Sequence, residues 1–341
     1  MDAHDSDESR QPQSKAREKR VVVATHGYCL DGLCSAAMFT RLLRHVDGGP
    51  LRFHYAGCAY GPGQNGVDPK VLSGDVNAIL DYRFSRAPEL SWYFDHHVSA
   101  FQGEGDKSAY EARAHVATPD RRFFHDGTYG SCTKLIADVG ARDFGLDPAP
   151  TASLVRWADM IDSASFPSAE FAVSRTEPVL QLMTVVEHSS DDAFLARMVP
   201  RLLSESIEDV ARSPEVAAAY APLGAQKDAF FEQVRAAARE SGGVVLVDLT
   251  DQVIDVAAKF VTYALYPRSA YSVLVTRSKS KCKISIGYNP WSKIERKHNI
   301  AAICERWGGG GHPVVGGITL PAAEVEKTRE IARSIADELA T

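Results

Sequence analysis

Trp92-Tyr93-Phe94-Asp95-His96-His97 is a short apolar run of strand character that ends in a carboxylate and two imidazoles. Open α/β sheets collect their ligands at the carboxyl ends of strands. Asp and His are seldom buried without a partner, so three of them side by side at such a place are poorly explained by packing. The stretch reads as part of a metal site, and the rest of the chain is organised around it.

The same pattern recurs upstream. Residues 21–25 (Val-Val-Val-Ala-Thr) read as a buried parallel strand, followed by His26-Gly27-Tyr28-Cys29-Leu30-Asp31-Gly32. An amphipathic helix then carries Leu33, Ala36, Ala37, Phe39, Leu42 and Leu43 as its apolar stripe, up to Gly48-Gly49. The loop is not a P-loop, because no G-K-[ST] follows, and it lacks the G-x-G-x-x-G dinucleotide fingerprint. A second strand is expected over 51–55, with a Gly-rich loop around Gly61-Pro62-Gly63 after it; a third over 77–80 ends in Asp81. Strands alternating with helices predict an α/β fold with a doubly wound parallel sheet, whose strand ends bring His26, Asp31, Asp81, Asp95, His96 and His97 toward one edge. Residues 100–128 read as an irregular, charged excursion. Ser131 is the natural N-cap of a helix that runs to about 139, and a further helix over 151–161 carries Asp159 and Asp162 near its end, on one face.

Residues 191–241 are helical in pattern and fairly polar, broken at Pro200, Pro214 and Pro222, and read as a helical connection. Beyond it, strands are expected at 244–249, 271–275, 282–287 and 314–320, helices at 253–266 and 299–307, and a charged helix from 322. Between them stands Gly308-Gly309-Gly310-Gly311-His312-Pro313. A helix C-cap needs only one or two glycines. Four in a row with a histidine favour a loop whose backbone N–H groups approach a phosphate, His312 adding a donor.

Composition narrows the class. The 341 residues suffice for two domains, and 45% hydrophobic with 24% charged residues suit a soluble globular protein with no bilayer-spanning run. Residues 1–20 are polar, which predicts a disordered tail and no secretory signal. Six scattered cysteines without any C-x-x-C pair argue against a disulfide framework and a structural zinc knuckle and suit a reducing cytoplasm. The net charge is −6, yet residues 277–297 hold seven Lys or Arg and one acid, leaving −12 for the remainder. That basic stretch is either a solvated face or an attractor for a polyanion.

These residues resemble the DHH phosphoesterase superfamily: Asp95-His96-His97 after an apolar strand, His26 and Asp31-Gly32 after the first strand, Asp81 after the third, and Asp159 in Ala158-Asp159-Met160. Gly308 to His312 with Gly316-Gly317 resembles its associated C-terminal G-G-G-H domain, and the resemblance covers nearly everything after residue 20. It implies a catalytic domain over 21–190, a helical linker over 191–242 and a smaller α/β substrate-binding domain over 243–341. It implies two divalent ions, foremost Mn2+, with His26 on the first, Asp31 on the second, Asp81 bridging, and His96 and Asp159 completing the second; Asp162 is the rival for the Asp159 place. Asp95 would orient a histidine, His97 would face a substrate phosphate, and Gly309, Gly310, Gly311 and His312 would bind substrate. The implied reaction is hydroxide attack on phosphorus in a two-metal site.

Two features depart from the family pattern. Cys29 stands where many members carry the first Asp of D-x-D, as in a Cys-variant subset; a thiolate is a soft donor that suits manganese poorly, so Cys29 is a further candidate ligand. Nuclease-like members carry an Arg in S-x-R-S, whereas Ser285-Ile286-Gly287-Tyr288 lacks that bidentate anchor. Tyr288 and Trp291 either stack on a base or close the domain interface. The expectation is a cytoplasmic, manganese-dependent phosphoesterase that hydrolyses a phosphodiester of a short oligonucleotide or small nucleotide. Alternatives are an exopolyphosphatase or other phosphoanhydride hydrolase, and a non-catalytic nucleotide-binding protein. The partner is a phosphorylated small molecule or short oligonucleotide, not a membrane, and a homodimer is a candidate state.

Overall fold

The structure is a computed structural model that describes residues 17–59, 66–116, 122–189, 191–254 and 260–341. In chain order its elements are β1 (Lys19–His26), α1 (Leu30–Asp47), β2 (Leu51–Cys58), β3 (Val76–Leu80), β4 (Trp92–Asp95), α2 (Asp106–Ala114), β5 (Phe123–His125), α3 (Cys132–Phe144) and α4 (Ala152–Asp162). There follow α5 (Ala169–Ala172), α6 (Pro178–Ser189), α7 (Asp192–Leu202), α8 (Ile207–Ala211), α9 (Pro214–Ala237), β6 (Ala238–Ser241), β7 (Val244–Asp248), α10 (Val261–Leu265), β8 (Tyr271–Arg277), β9 (Lys281–Tyr288), α11 (Ile300–Arg306), β10 (Gly310–His312), β11 (Val315–Pro321) and α12 (Val325–Leu339). Among the described residues no helix is long and apolar enough to cross a membrane.

Two compact units form: Met1–Ser163 with Val186–Ile207, and Ala164–Val185 with Glu208–Thr341. The first is built on a five-stranded sheet in the order β2-β1-β3-β4-β5, every pair parallel. Strand β4 explains why it is covered on both faces. Tyr93 joins Tyr82, Phe84 and Tyr110 of α2 on one side, while its neighbours Trp92 and Phe94 pack on the other against Phe39 of α1 and, through Trp92, Phe144 of α3. A strand buried on both faces is apolar throughout, as the quoted run is. The doubly wound parallel sheet is therefore present, and its order reverses between β1 and β3, the place where such sheets open a crevice at their carboxyl ends.

Helix α1 is buried along almost its whole first half, more than one stripe, because α3, α4 and α7 also pack around it. Its start is sterically tight. A Cβ on Gly32 would lie 1.9 Å from the His26 carbonyl oxygen, so only glycine lets the helix begin beneath the end of β1. Gly32→Ala is expected to cost about 3 kcal/mol, the upper part of the range for overpacking, because backbone meets backbone. Thermal unfolding should show a fall of roughly 6 to 12 °C; an unchanged midpoint would mean that the β1–α1 turn is looser than described.

The second unit holds a mixed six-stranded sheet, β10-β11-β9-β8-β7-β6, antiparallel except for β7 with β8. One face carries Val273, Val275, Ile284, Ile286 and Ile318 against Ile300 and Ile303 of α11 and Ile331, Ile335 and Leu339 of α12. On the other face Phe230 and Val234 of α9 cover Val245 and Val247.

The compact units divide the chain differently from the expected 21–190, 191–242 and 243–341. Residues 164–185 belong with the second unit. Helix α7 buries Phe194, Leu195, Met198, Val199 and Leu202 and packs on α1 and β2 of the first. The excursion over 100–128 contains α2 and β5, which polar sequence and short length had hidden. Strand β1 begins at Lys19, paired with Leu51, so the last two residues of the expected 1–20 tail are ordered; residues 1–16 lie outside the described ones. The Gly61-Pro62-Gly63 loop also lies outside them, as do residues 255–259 of the helix expected over 253–266, of which α10 is the described part.

Candidate metal centre

Asp81 follows β3 directly and turns the chain with a left-handed backbone, φ 54°. Its N–H donates to the Phe94 carbonyl at 2.9 Å, which ties it to β4. The carboxylate is buried, and neither oxygen accepts a hydrogen bond of ordinary geometry. Around it stand imidazole nitrogens: His26 Nδ1 is 3.5 Å from Oδ2, and His96 Nε2 and His97 Nδ1 are 3.4 and 3.6 Å from Oδ1. A desolvated carboxylate left in this state is costly unless a cation or donor meets it.

His96 is held from behind. Its Nδ1 donates to the Tyr129 carbonyl at 3.0 Å, which leaves Nε2 as the inward atom, the usual tautomer of a ligating imidazole. Nε2 lies 3.2 Å from Asp162 Oδ2 and 3.9 Å from Asp31 Oδ2 and itself has no hydrogen-bond partner. Asp31, in the first turn of α1, accepts from the N–H groups of Cys132 and Thr133 at 2.7 and 3.0 Å, at the start of α3. Those bonds fix the carboxylate and leave lone pairs facing His96.

Asp95 does not face this cluster as a ligand. Its Oδ1 accepts from the His97 ring Nδ1 at 2.8 Å and from the backbone N–H groups of His96 and His97, and its Oδ2 accepts from the Tyr93 hydroxyl at 3.0 Å. The bond to Asp95 raises the His97 imidazole above its ordinary range, which favours the imidazolium and leaves the other ring N–H of a partly exposed side chain to meet a substrate.

Electrostatics favour cations here. Burial, then Asp81 and Asp162 beside it, push the Asp31 carboxyl well above the ordinary range. Burial alone would lower the His96 imidazole, yet Asp162, Asp81 and Asp31 together push it up to about 11. Burial followed by the same carboxylates raises the Cys29 thiol. Ligand atoms of His26, Cys29 and Asp81 lie within 4.8 Å of one another, as do those of Asp31, His96 and Asp162, and of Asp81, His96 and His97. Two atoms each about 2.1 Å from one ion are roughly 3.0 to 3.4 Å apart, close to the closest contacts above, so the residues fit divalent ions.

Of the two acids on α4, Asp162 joins this cluster; its Oδ1 is also 3.9 Å from Cys29 Sγ. Asp159 does not join it. Its Oδ1 accepts from Ser131 Oγ at 3.3 Å, behind the start of α3, and a Cβ on Gly130 would lie 2.8 Å from that same oxygen. Sequence reasoning missed Tyr93, the Tyr129 carbonyl and the α3 amides; the hydroxyl two residues before Asp95 was the one readable signal among them.

In the second unit, the glycine run has a packing account. A Cβ on Gly309 would lie 2.3 Å from the Gly317 oxygen, and one on Gly311 2.3 Å from the Val315 oxygen, so at these two positions the chain can lie against β11 only without a side chain. Gly310 has open space beside it, and His312 is exposed. Lys281 and Lys283 point outward from β9 while Cys282 and Ile284 point into the core. Tyr288 donates to the Ile294 carbonyl at 2.6 Å, and Trp291 donates to the Phe166 carbonyl at 2.9 Å with its ring edge-on to Phe260.

No family model matches the sequence, and no curated protein matches it. Solved structures do. The pGpG-specific phosphodiesterase PggH from Vibrio cholerae is 18% identical, with a TM-score of 0.63 over 94% of this chain and 99% of that one. RecJ from Thermus thermophilus, solved in complex with Mn2+, is 12% identical, with a TM-score of 0.52 over 94% of this chain and 52% of that one. Both belong to the DHH superfamily. The likeness extends over both compact units at identities that speak for architecture alone: the chain has the DHH fold.

Proposed function

We propose that the chain is a metal-dependent phosphoesterase that hydrolyses a phosphodiester of a short oligonucleotide or small nucleotide. The observation that carries this reading is Asp81: a buried carboxylate with no hydrogen bond, facing imidazoles on both oxygens, at the switch point of a doubly wound sheet. His26, Asp81 and Cys29 would hold one ion, and Asp31, His96 and Asp162 a second, with Asp81 shared. When bound, such ions offset charge on phosphoryl oxygens and supply a nucleophile at neutral pH. Manganese is the first ion to test.

The chain's own residues orient the substrate. His97 is held through Nδ1 by Asp95, whose hydrogen bond raises the imidazole above its ordinary range and favours the imidazolium, and the second ring N–H of that form donates to a non-bridging phosphate oxygen, where it stabilises the charge that grows in the transition state. The Tyr93 hydroxyl holds the second Asp95 oxygen, so Asp95 acts by positioning and not as a base. Tyr288 and Trp291 are tied to their own unit through the hydroxyl and the indole N–H, and no arginine stands at the S-x-R-S position, so affinity for a long nucleic acid is expected to be weak. The exposed lysines of β9 and His312 are the phosphate contacts proposed for the second unit, with Gly310 leaving room for one. The expectation of a homodimer finds no support in the single chain or its structural relatives.

The test is hydrolysis by the full chain, with Mn2+, Mg2+ or Zn2+, of linear dinucleotides such as pGpG, of 3′-phosphoadenosine 5′-phosphate, of cyclic dinucleotides and of polyphosphate. Turnover of a linear dinucleotide with Mn2+ is the expected result. Turnover of polyphosphate alone would move the reading to a phosphoanhydride hydrolase, and tight nucleotide binding without turnover to a non-catalytic binder.

A further inference from the structure

A cavity of about 230 Å³ lies on the first unit, lined by α1, the start of α4 and the segment after α7. Arg41 of α1 lines it, ten residues past Asp31, about 15 Å along the helix axis. The Arg41 Nε–H is buried without a hydrogen-bond partner, and among the described residues no carboxylate pairs with its guanidinium. The acid in the wall, Glu205, is already taken: both its oxygens are bound by Arg201, at 2.9 and 2.8 Å. Of the hydroxyl residues in the wall, Thr151 donates to the Pro148 carbonyl at 3.2 Å and Ser204 to the Pro200 and Arg201 carbonyls at 3.4 and 3.3 Å, which leaves Arg41 as the group there without a counter-charge. A partly desolvated guanidinium without a counter-charge is unfavourable, and its planar fork matches an oxyanion through two parallel hydrogen bonds.

We propose that this cavity binds a small oxyanion, the phosphate or carboxylate group of a small molecule, with the Arg41 guanidinium as the anchor. The site is distinct from the metal centre. It bears on α1 and α4, the helices whose opposite ends carry Asp31 and Asp162.

The experiment uses the full chain without added divalent ion, titrated with inorganic phosphate or succinate by calorimetry and followed by thermal unfolding, with chloride as the ionic-strength control. Saturable binding near one equivalent and a rise in unfolding temperature are expected, and the anion that binds more tightly identifies the source. Arg41→Gln should weaken binding at least tenfold, and Arg41→Lys should fall between, keeping the charge without the fork. Should Arg41→Gln not fold, Ser204→Glu decides: a carboxylate built into the wall should raise the unfolding temperature by itself and remove the response to added anion. Absence of saturable binding to the wild-type chain, equal binding by Arg41→Gln, or an undiminished anion response in Ser204→Glu would each overturn the proposal.

Discussion

Asp81→Asn is expected to lower kcat/KM by at least about a thousandfold, some 4 kcal/mol of transition-state stabilisation, while the chain stays folded. Asn keeps the shape of the side chain and tolerates the left-handed backbone found at this position, so the turn after β3 should survive. The lost quantity is the charge that faces His26 through one oxygen and His96 through the other. Ion uptake measured on the same sample should fall together with activity. A variant that retains more than about a tenth of wild-type activity would remove Asp81 from the shared-ligand role.

Asp162→Asn should reduce kcat/KM by roughly a hundredfold or more, and Asp159→Asn by less than about tenfold. The contrast follows from where the two acids stand. Asp162 Oδ2 is 3.2 Å from the inward nitrogen of His96, whereas Asp159 accepts a hydroxyl from Ser131 and reaches the site only through the start of α3. Measured ion affinities should rank the same way. The reverse ranking would return Asp159 to the metal centre and make Asp162 a surface charge at the end of α4.

Why the sequence left that choice open is instructive. The two acids are three apart on one helix and share a face, so periodicity cannot separate them; the turn of α4 and the place of Ser131 do. The strand-end residues were legible for the opposite reason. An apolar run buried on both faces has nowhere to put a polar ligand except its end: β1 stops at His26, β3 just before Asp81 and β4 at Asp95. The groups that hold these side chains in place were not legible, because the Tyr129 carbonyl and the Cys132 and Thr133 amides belong to the backbone. The glycine run, read from sequence as favouring a phosphate-approaching loop, also has a packing reason that the sequence did not display: a Cβ on Gly309 or Gly311 would meet backbone oxygens of β11. Strand β5 and helix α2 escaped because three residues and a charged nine-residue segment carry too little periodicity to register.

Asp31 has a second consequence. It starts α1 yet is pinned by amides about a hundred positions later, and the cluster it serves also draws on the ends of β1, β3, β4 and α4. None of those segments can form the cluster alone, so nothing resembling it exists until the last of them has docked. An ion bound there would favour the completed unit over the unfolded chain, and its binding would stabilise the fold to that extent. On the proposed reading the centre would act as a clasp that only a finished molecule can close, and affinity for the ion would gauge how completely the polypeptide has assembled.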